Sequence, residues 1–289
     1  MANTPSSASP AVNRRVELFA IGNELLVGQV LDTNSHWIIQ QITGLGAQVR
    51  RALMLRDEYD EIEQALKSAL ARRPRLIITT GGLGPTDDDL TFRAVARAFG
   101  LEQREDAVAL EMVRQRYAYL ATIRPNFSAD LNEARRKMAL FPVGGVPLAN
   151  PSGAAPGLAL ELSSDPAAPV TLVCLPGVPS EMKDIFTTSL QPVLAHAIGA
   201  GGYVEHTIVL DRGDESRIAD LLQRVQGAHP AVYVKSRGQK LEDGLRLTVV
   251  LSCGGDDLPA LLAEVTAAEA EAARGLADLG YSVLRIVSN

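Results

Sequence analysis

Cysteine is almost missing: Cys174 and Cys253 are the only two in 289 residues. Two cysteines make no disulfide framework, and with no histidine at ligand spacing from either they make no zinc cluster. Both stand in apolar, strand-like runs and are read as small buried hydrophobes. Aromatics are scarce too, at 4% with a single Trp, so the core has to be built from Leu, Ile, Val and Ala. No apolar run is long enough to span a bilayer. Residues 1–13 are rich in Ser, Ala and Pro without an apolar centre, which reads as a disordered tail rather than a signal peptide. A cytoplasmic location is expected. Positive charge is in deficit, with 28 Lys and Arg against 34 Asp and Glu, a net charge of −6. That is no electrostatic footprint for nucleic acid or an anionic membrane. It leaves open a small anionic ligand held by local donors.

What the chain does have is a dense stretch from Leu76 to Gly100. Leu76, Ile77 and Ile78 suit a strand buried on both faces. Thr79 and Thr80 lead into Gly81, Gly82 and Gly84, and then come Asp87, Asp88 and Asp89. Leu90 to Phe99 has helical spacing, and Gly100 is placed to end the helix. Glycines let backbone N–H groups approach a ligand, and a helix start adds unpaired donors that suit phosphate. Three adjacent aspartates are too negative to face a phosphate alone. A hard cation such as Mg²⁺ between them reconciles the two, because it takes carboxylate and phosphate oxygens together. The plainer alternative is that Thr86 or Asp87 caps the helix. The glycine spacing is neither the dinucleotide fingerprint nor the Walker loop.

Along the rest of the chain, strands at Val16–Ile21, Val49–Leu55 and Leu76–Thr80 alternate with helices, the pattern of a parallel sheet with helices on both faces. Glu24 follows the first strand, where open α/β sheets bind ligands. Asp32 to Ser35 is a helix-start cluster. Glu105 to Ala121 and Ser128 to Arg136 read as helices, with a break at Arg124-Pro125-Asn126. Asn150 to Gly157 is a loop of small residues, read as a wall that lets a ligand come close. A strand at Val170–Leu175 runs through Pro176 and Gly177 into a helix that opens at Ser180, its cap, and continues to about Ile198. In a parallel sheet this second strand–Gly–helix junction opens on the same edge as the first. The best boundary lies at Gly199 to Gly202. It separates a nucleotide domain at 14–200 from a small α+β domain at 201–289, where Lys235 to Lys240 reads as a basic, solvated hairpin tip.

Four stretches now occur in order: IGNELLVGQVLDTNSHW, TTGGLGPTDDDLT, NPSGAAPG and LPGVPSEM. Together they resemble the N-terminal region of competence/damage-inducible protein A and its stand-alone relatives, within the molybdopterin-binding (molybdenum-cofactor-biosynthesis) domain family. The resemblance runs from about Val16 to Met182 and continues more weakly to the last strand. It implies a three-layer α/β sandwich with a mostly parallel sheet, followed by a small KH-like α+β domain. It also implies a metal-dependent pyrophosphohydrolase of ADP-ribose-like or FAD-like diphosphates, or else a molybdopterin- or nucleotide-binding protein without turnover. Carried over residue by residue, Thr80, Gly81, Gly82, Gly84 and Thr86 are phosphate-facing. Asp32, Asn34, Ser152, Gly153, Pro176 and Gly177 match the family's other binding loops. Asp88 and Asp89 are the catalytic candidates, and with Glu24 the candidate ligands of Mg²⁺, Mn²⁺ or Co²⁺, with K⁺ as a further cation. A small-molecule nucleotide or pterin is the expected partner, and a dimer or trimer of this chain the expected assembly. Two positions depart from the pattern: Asp87 stands where Pro is usual, and Asn23 where many members have Asp.

Overall fold

The computed structural model describes residues 13–124, 127–163, 165, 168–199, 201–241 and 244–288. The expected tail and the break at 125–126 fall, but for Asn13 and Arg124, outside these, as do Ala200 at the boundary and the side chains of Gln239 and Lys240. Two compact units are present, one of residues 1–42 and 48–199 and the other of 43–47 and 200–289.

The first unit opens with β1 (Arg15–Ile21), α1 (Asn23–Leu26), α2 (Thr33–Gly44), β2 (Gln48–Leu55), α3 (Tyr59–Ala71), β3 (Leu76–Thr80) and α4 (Thr91–Phe99). It continues through β4 (Gln103–Glu105), α5 (Ala107–Ile123), α6 (Glu133–Lys137), β5 (Leu140–Pro142) and β6 (Val146–Leu148). It closes with β7 (Gly157–Glu161), β8 (Thr171–Leu175), α7 (Pro179–Thr187) and α8 (Gln191–Ile198). Six strands form one sheet in the order β2-β1-β3-β8-β7-β6. The first four are parallel, and β7 and β6 run antiparallel.

β3 and β8 are buried at every residue, which is why both read as unbroken apolar runs. Phe19, Ile77, Leu172 and Cys174 point to one side, where they join Ile62 and Leu66 of α3, Phe92 and Val95 of α4 and Val113 of α5. Leu18, Leu76, Ile78 and Leu175 alternate with them and are fully buried as well. The other helix layer brings Ile38 and Ile42 of α2 and Met182 and Ile185 of α7, all at 0% exposure. Trp37 meets Phe186 edge-on at 5.1 Å within it. Each such aliphatic side chain contributes about 1.5–3 kcal/mol on full burial, so the two layers supply the core that scarce aromatics do not.

The second unit contains β9 (Gly202–Leu210), α9 (Glu215–Ala228), β10 (Tyr233–Leu241), β11 (Gly244–Gly255), α10 (Leu258–Asp278) and β12 (Val283–Ser288). Its sheet has the antiparallel order β10-β11-β9-β12, the split βαβ arrangement. Ile208, Ile218, Val225, Val249, Leu251 and Val265 form its core.

Several local expectations are corrected. The Lys235–Lys240 segment is strand, paired along its length with β11, and the pairing runs on to Leu241 and Gly244. The helix expected over Ser128–Arg136 shrinks to α6, since Asn132 is its cap and accepts the Arg135 N–H at 3.0 Å. Ser180 caps nothing: α7 starts at Pro179, which needs no N–H partner there. The long helix to Ile198 is two, α7 and α8, with Pro192 in the first turn of the second.

Candidate functional site

The carboxyl ends of β1, β2, β3 and β8 and the start of β7 open onto a cleft of about 520 Å³. Strand order sets out its contents. Asp57 follows β2 and Glu24 follows β1, at one end; the Gly81 and Gly177 loops follow β3 and β8, in the middle; Ala154 and Ala155 precede β7, at the other end.

The two central loops touch. Gly81 has φ +100°, and a Cβ there would lie 2.0 Å from the Ile21 carbonyl oxygen. Gly82 has φ +67°, and its Cβ would meet the Thr91 hydroxyl at 2.4 Å. Only glycine fits either place. A Cβ on Gly177 would stand 3.4 Å from the Gly81 Cα, so two main chains line the floor without side chains between them. Gly81 donates its N–H to the Leu175 carbonyl at 2.9 Å, and the Thr91 hydroxyl donates to the Gly81 carbonyl at 2.8 Å. These bonds fix the loop between β3 and α4.

The aspartates do not start a helix. α4 begins at Thr91 with no acidic residue in its first turn and no side-chain cap. Neither Thr86 nor Asp87 caps it. The acids sit instead in a separate turn, where Asp89 Oδ2 accepts the Thr86 N–H at 2.9 Å and the Thr86 hydroxyl at 2.5 Å. Thr86 also lies close enough to Asp88 to hold that carboxyl below the usual range. Lys137 donates to the Thr86 carbonyl and, at 3.4 Å, to that of Gly84. Its burial lowers the Lys137 pKa against the opposing pull of Asp89.

Of the residues read from the sequence, Glu24, Gly81, Gly82, Gly84, Asp88, Asp89, Pro176 and Gly177 line the cleft. Thr80 is buried at the end of β3, and Thr86 braces Asp89 from outside the lining. Asp32 accepts the Ser35 N–H at 2.9 Å and starts α2. Asn34 is 8% exposed and donates to the Gly177 carbonyl at 2.7 Å, while its own oxygen has no partner. Ser152 bonds Asp184, and Gly153 donates to Asn150 at 2.7 Å; both brace the loop that bears Ala154 and neither lines the cleft.

Other residues were not singled out from the sequence. Asp57 accepts the Asn23 N–H at 2.8 Å. Burial pushes its carboxyl above the usual range, and Glu24, Asp88 and Asp89 push it further. Glu181 accepts from Asn150 at 2.8 Å and lines the cleft. Tyr117 and Met138 reach it from α5 and from the end of α6. The polar residue after a β-strand was a usable signal for Asp57; nothing in α5 marked Tyr117.

Among the described residues the lining includes Glu24, Asp57, Asp88, Asp89 and Glu181 and no Lys, Arg or His. No three His, Cys, Asp or Glu side chains among them converge tightly enough to hold a metal ion on their own. Five lining carboxylates, one of them a raised Asp57, with Lys137 as the cation near Asp88 and Asp89 from outside the lining, do fit a hydrated divalent cation. Such an ion takes one or two carboxylates and fills its other positions with water and ligand oxygens. Among the described residues no helix is long and apolar enough to cross a membrane.

Residues 17–196 match the family described as probable molybdopterin binding domain. A protein of Aeropyrum pernix is 38% identical over 93% of this chain and 96% of its own length. One from Pyrobaculum arsenaticum is 38% identical over 83% and 87%. The crystal structure of the protein CinA, of unknown function, from Thermoplasma acidophilum superposes with a TM-score of 0.54 at 34% identity, covering 62% of this chain and 98% of that one.

Proposed function

The chain belongs to the molybdopterin binding domain family, and on that premise we propose that its cleft binds and hydrolyses a nucleotide diphosphate of the ADP-ribose type. The observation that carries this is the pairing of a bare main-chain floor at Gly81, Gly82 and Gly177 with an acidic end at Glu24, Asp57, Asp88 and Asp89. Backbone groups suit phosphate oxygens, and no cationic side chain is at hand among the described lining residues to neutralise them. Asp88 and Asp89, with Glu24 at the rim, would hold a divalent ion. When bound, that ion supplies Lewis-acid polarisation of the phosphoryl oxygens and the positive charge the lining lacks.

The chain's own groups do the rest. The Gly81–Gly84 loop orients the diphosphate, and its rigidity comes from Thr91 and Leu175. Water adds to one phosphorus, the bridging P–O bond breaks, and ADP-ribose becomes AMP and ribose 5-phosphate. The test is release of AMP from ADP-ribose by the purified protein with Mg²⁺, Mn²⁺ or Co²⁺. Intact ADP-ribose under all three ions overturns the hydrolytic reading.

One observation favours a second reading, in which a pterin or nucleotide is bound and not turned over. Asp89 already accepts both donors of Thr86, so it serves the fold whether or not it serves chemistry. Tight binding of AMP or molybdopterin without product is the outcome this reading expects.

A further inference from the structure

The end of the cleft away from Glu24 and Asp57 is different in kind. Tyr117, Ala154 and Ala155 line it, and the carboxylate beside them, Glu181, shares its Asn150 partner with the Ala155 carbonyl. Tyr117 does not stand alone. The Arg135 guanidinium lies over its ring, 3.8 Å from the centre, and 5.3 Å from the centre of Phe127. The Tyr117 and Phe127 rings are parallel to within 4°, with centres 5.8 Å apart. For two parallel rings, those three distances put Phe127 and Arg135 on the same side of the Tyr117 plane. Tyr117 is thus backed on one face and lines the cleft.

The backing is itself fixed. Arg135 donates to the carbonyls of Ser128 at 2.7 Å and Asp130 at 2.6 Å. On the neighbouring position of α5, Arg116 donates to the Pro151 carbonyl at 3.4 Å and to the Ser152 carbonyl. That ties the helix to the loop bearing Ala154 and Ala155. A ring backed by a cation on one face and lining a cleft is a stacking surface for a planar heterocycle.

We propose that Tyr117, positioned by Arg135, is the platform for the heterocyclic base of the ligand, so that the cleft selects diphosphates carrying a planar ring at one end. The inference rests on the reading that the cleft takes a nucleotide diphosphate, and it adds which residue recognises the base. The acidic end takes the diphosphate with its cation; the Tyr117 end takes the ring.

The experiment is calorimetric titration of AMP and of ribose 5-phosphate, each with Mg²⁺, into the full chain and its Tyr117→Ala, Tyr117→Phe and Arg135→Gln variants. Base–aromatic stacking predicts that Tyr117→Ala weakens AMP about 5- to 150-fold. It leaves ribose 5-phosphate within about twofold, and Tyr117→Phe stays near the parent for both. Arg135→Gln weakens AMP alone, by less than Tyr117→Ala does. Equal losses for both ligands, or no loss for AMP, would overturn the assignment, as would failure of the parent protein to bind AMP. Base-selective binding with no AMP release from ADP-ribose leaves Tyr117 in its role and removes only the hydrolytic reading.

Discussion

One oxygen of Asp89 accepts both donors of Thr86, the N–H at 2.9 Å and the hydroxyl at 2.5 Å. The turn that presents the acids to the cleft is thus closed by one of those acids, and its second oxygen is the one left for a ligand. Asp89→Asn keeps an acceptor for Thr86 and removes the charge. The predicted outcome is a melting temperature within about 3 °C of the parent and metal-dependent AMP release at least about 100-fold lower. Circular dichroism melts and a product assay check both halves.

Gly81→Ala puts a methyl group 2.0 Å from the Ile21 carbonyl oxygen, on a residue at φ +100°. The strain and the clash together cost at least about 3 kcal/mol. Gly100→Ala is the control: its φ is +65°, and nothing lies within 4 Å of the added atom, so it costs about 1 kcal/mol. Urea denaturation of the two variants should separate them clearly, and equal losses would remove the close approach from the account.

Asn34→Ala removes the 2.7 Å bond to the Gly177 carbonyl. A buried bond of this kind contributes about 0.5–1.5 kcal/mol, and the carbonyl left behind adds to the loss. The stability change should be about 1–2 kcal/mol, with AMP affinity falling as the Gly177 loop loosens. Calorimetry on the folded variant reads the second effect separately from the first.

Asp57 gives a pH signature. Burial raises its folded pKa above the usual 3.8, so the native state binds the proton more tightly than the unfolded chain does. Stability from this group is then greatest below pH 3.8 and declines as pH rises through the folded pKa. Asp57→Asn removes that decline while keeping an acceptor for the Asn23 N–H. The variant should melt higher than the parent at pH 7, with the gain shrinking as the pH approaches 4. A gain that grows toward low pH would contradict the sign.

Much of this was legible in the sequence, for physical reasons. β3 and β8 are buried on both faces, so Leu76–Ile78 and Thr171–Leu175 carry apolar runs that loops do not tolerate. Gly81 and Gly82 were legible because a backbone at positive φ leaves no other residue. Caps were harder to read. Asp32 does cap a helix, but Asp89 closes a turn, and the two uses look alike in a string of letters. Ser180 was misplaced because Pro179 can itself begin a helix. The 235–240 strand was hidden by charges such as those of Lys235 and Arg237, which stand on its exposed face. Tyr117 was invisible because its partners, Phe127 and Arg135, are ten and eighteen residues away and meet it only through the α5–α6 connection.

In the proposed function, a main-chain cradle and a set of carboxylates grip a diphosphate through a shared cation. The most direct measurement is the affinity for the methylene analogue of ADP-ribose, which keeps both phosphorus centres but lacks the cleavable bridging oxygen, with and without Mg²⁺. Binding is expected with the ion present, with a loss of at least about 100-fold when EDTA removes it. Equal affinity with and without the ion, or none in either case, would contradict that reading.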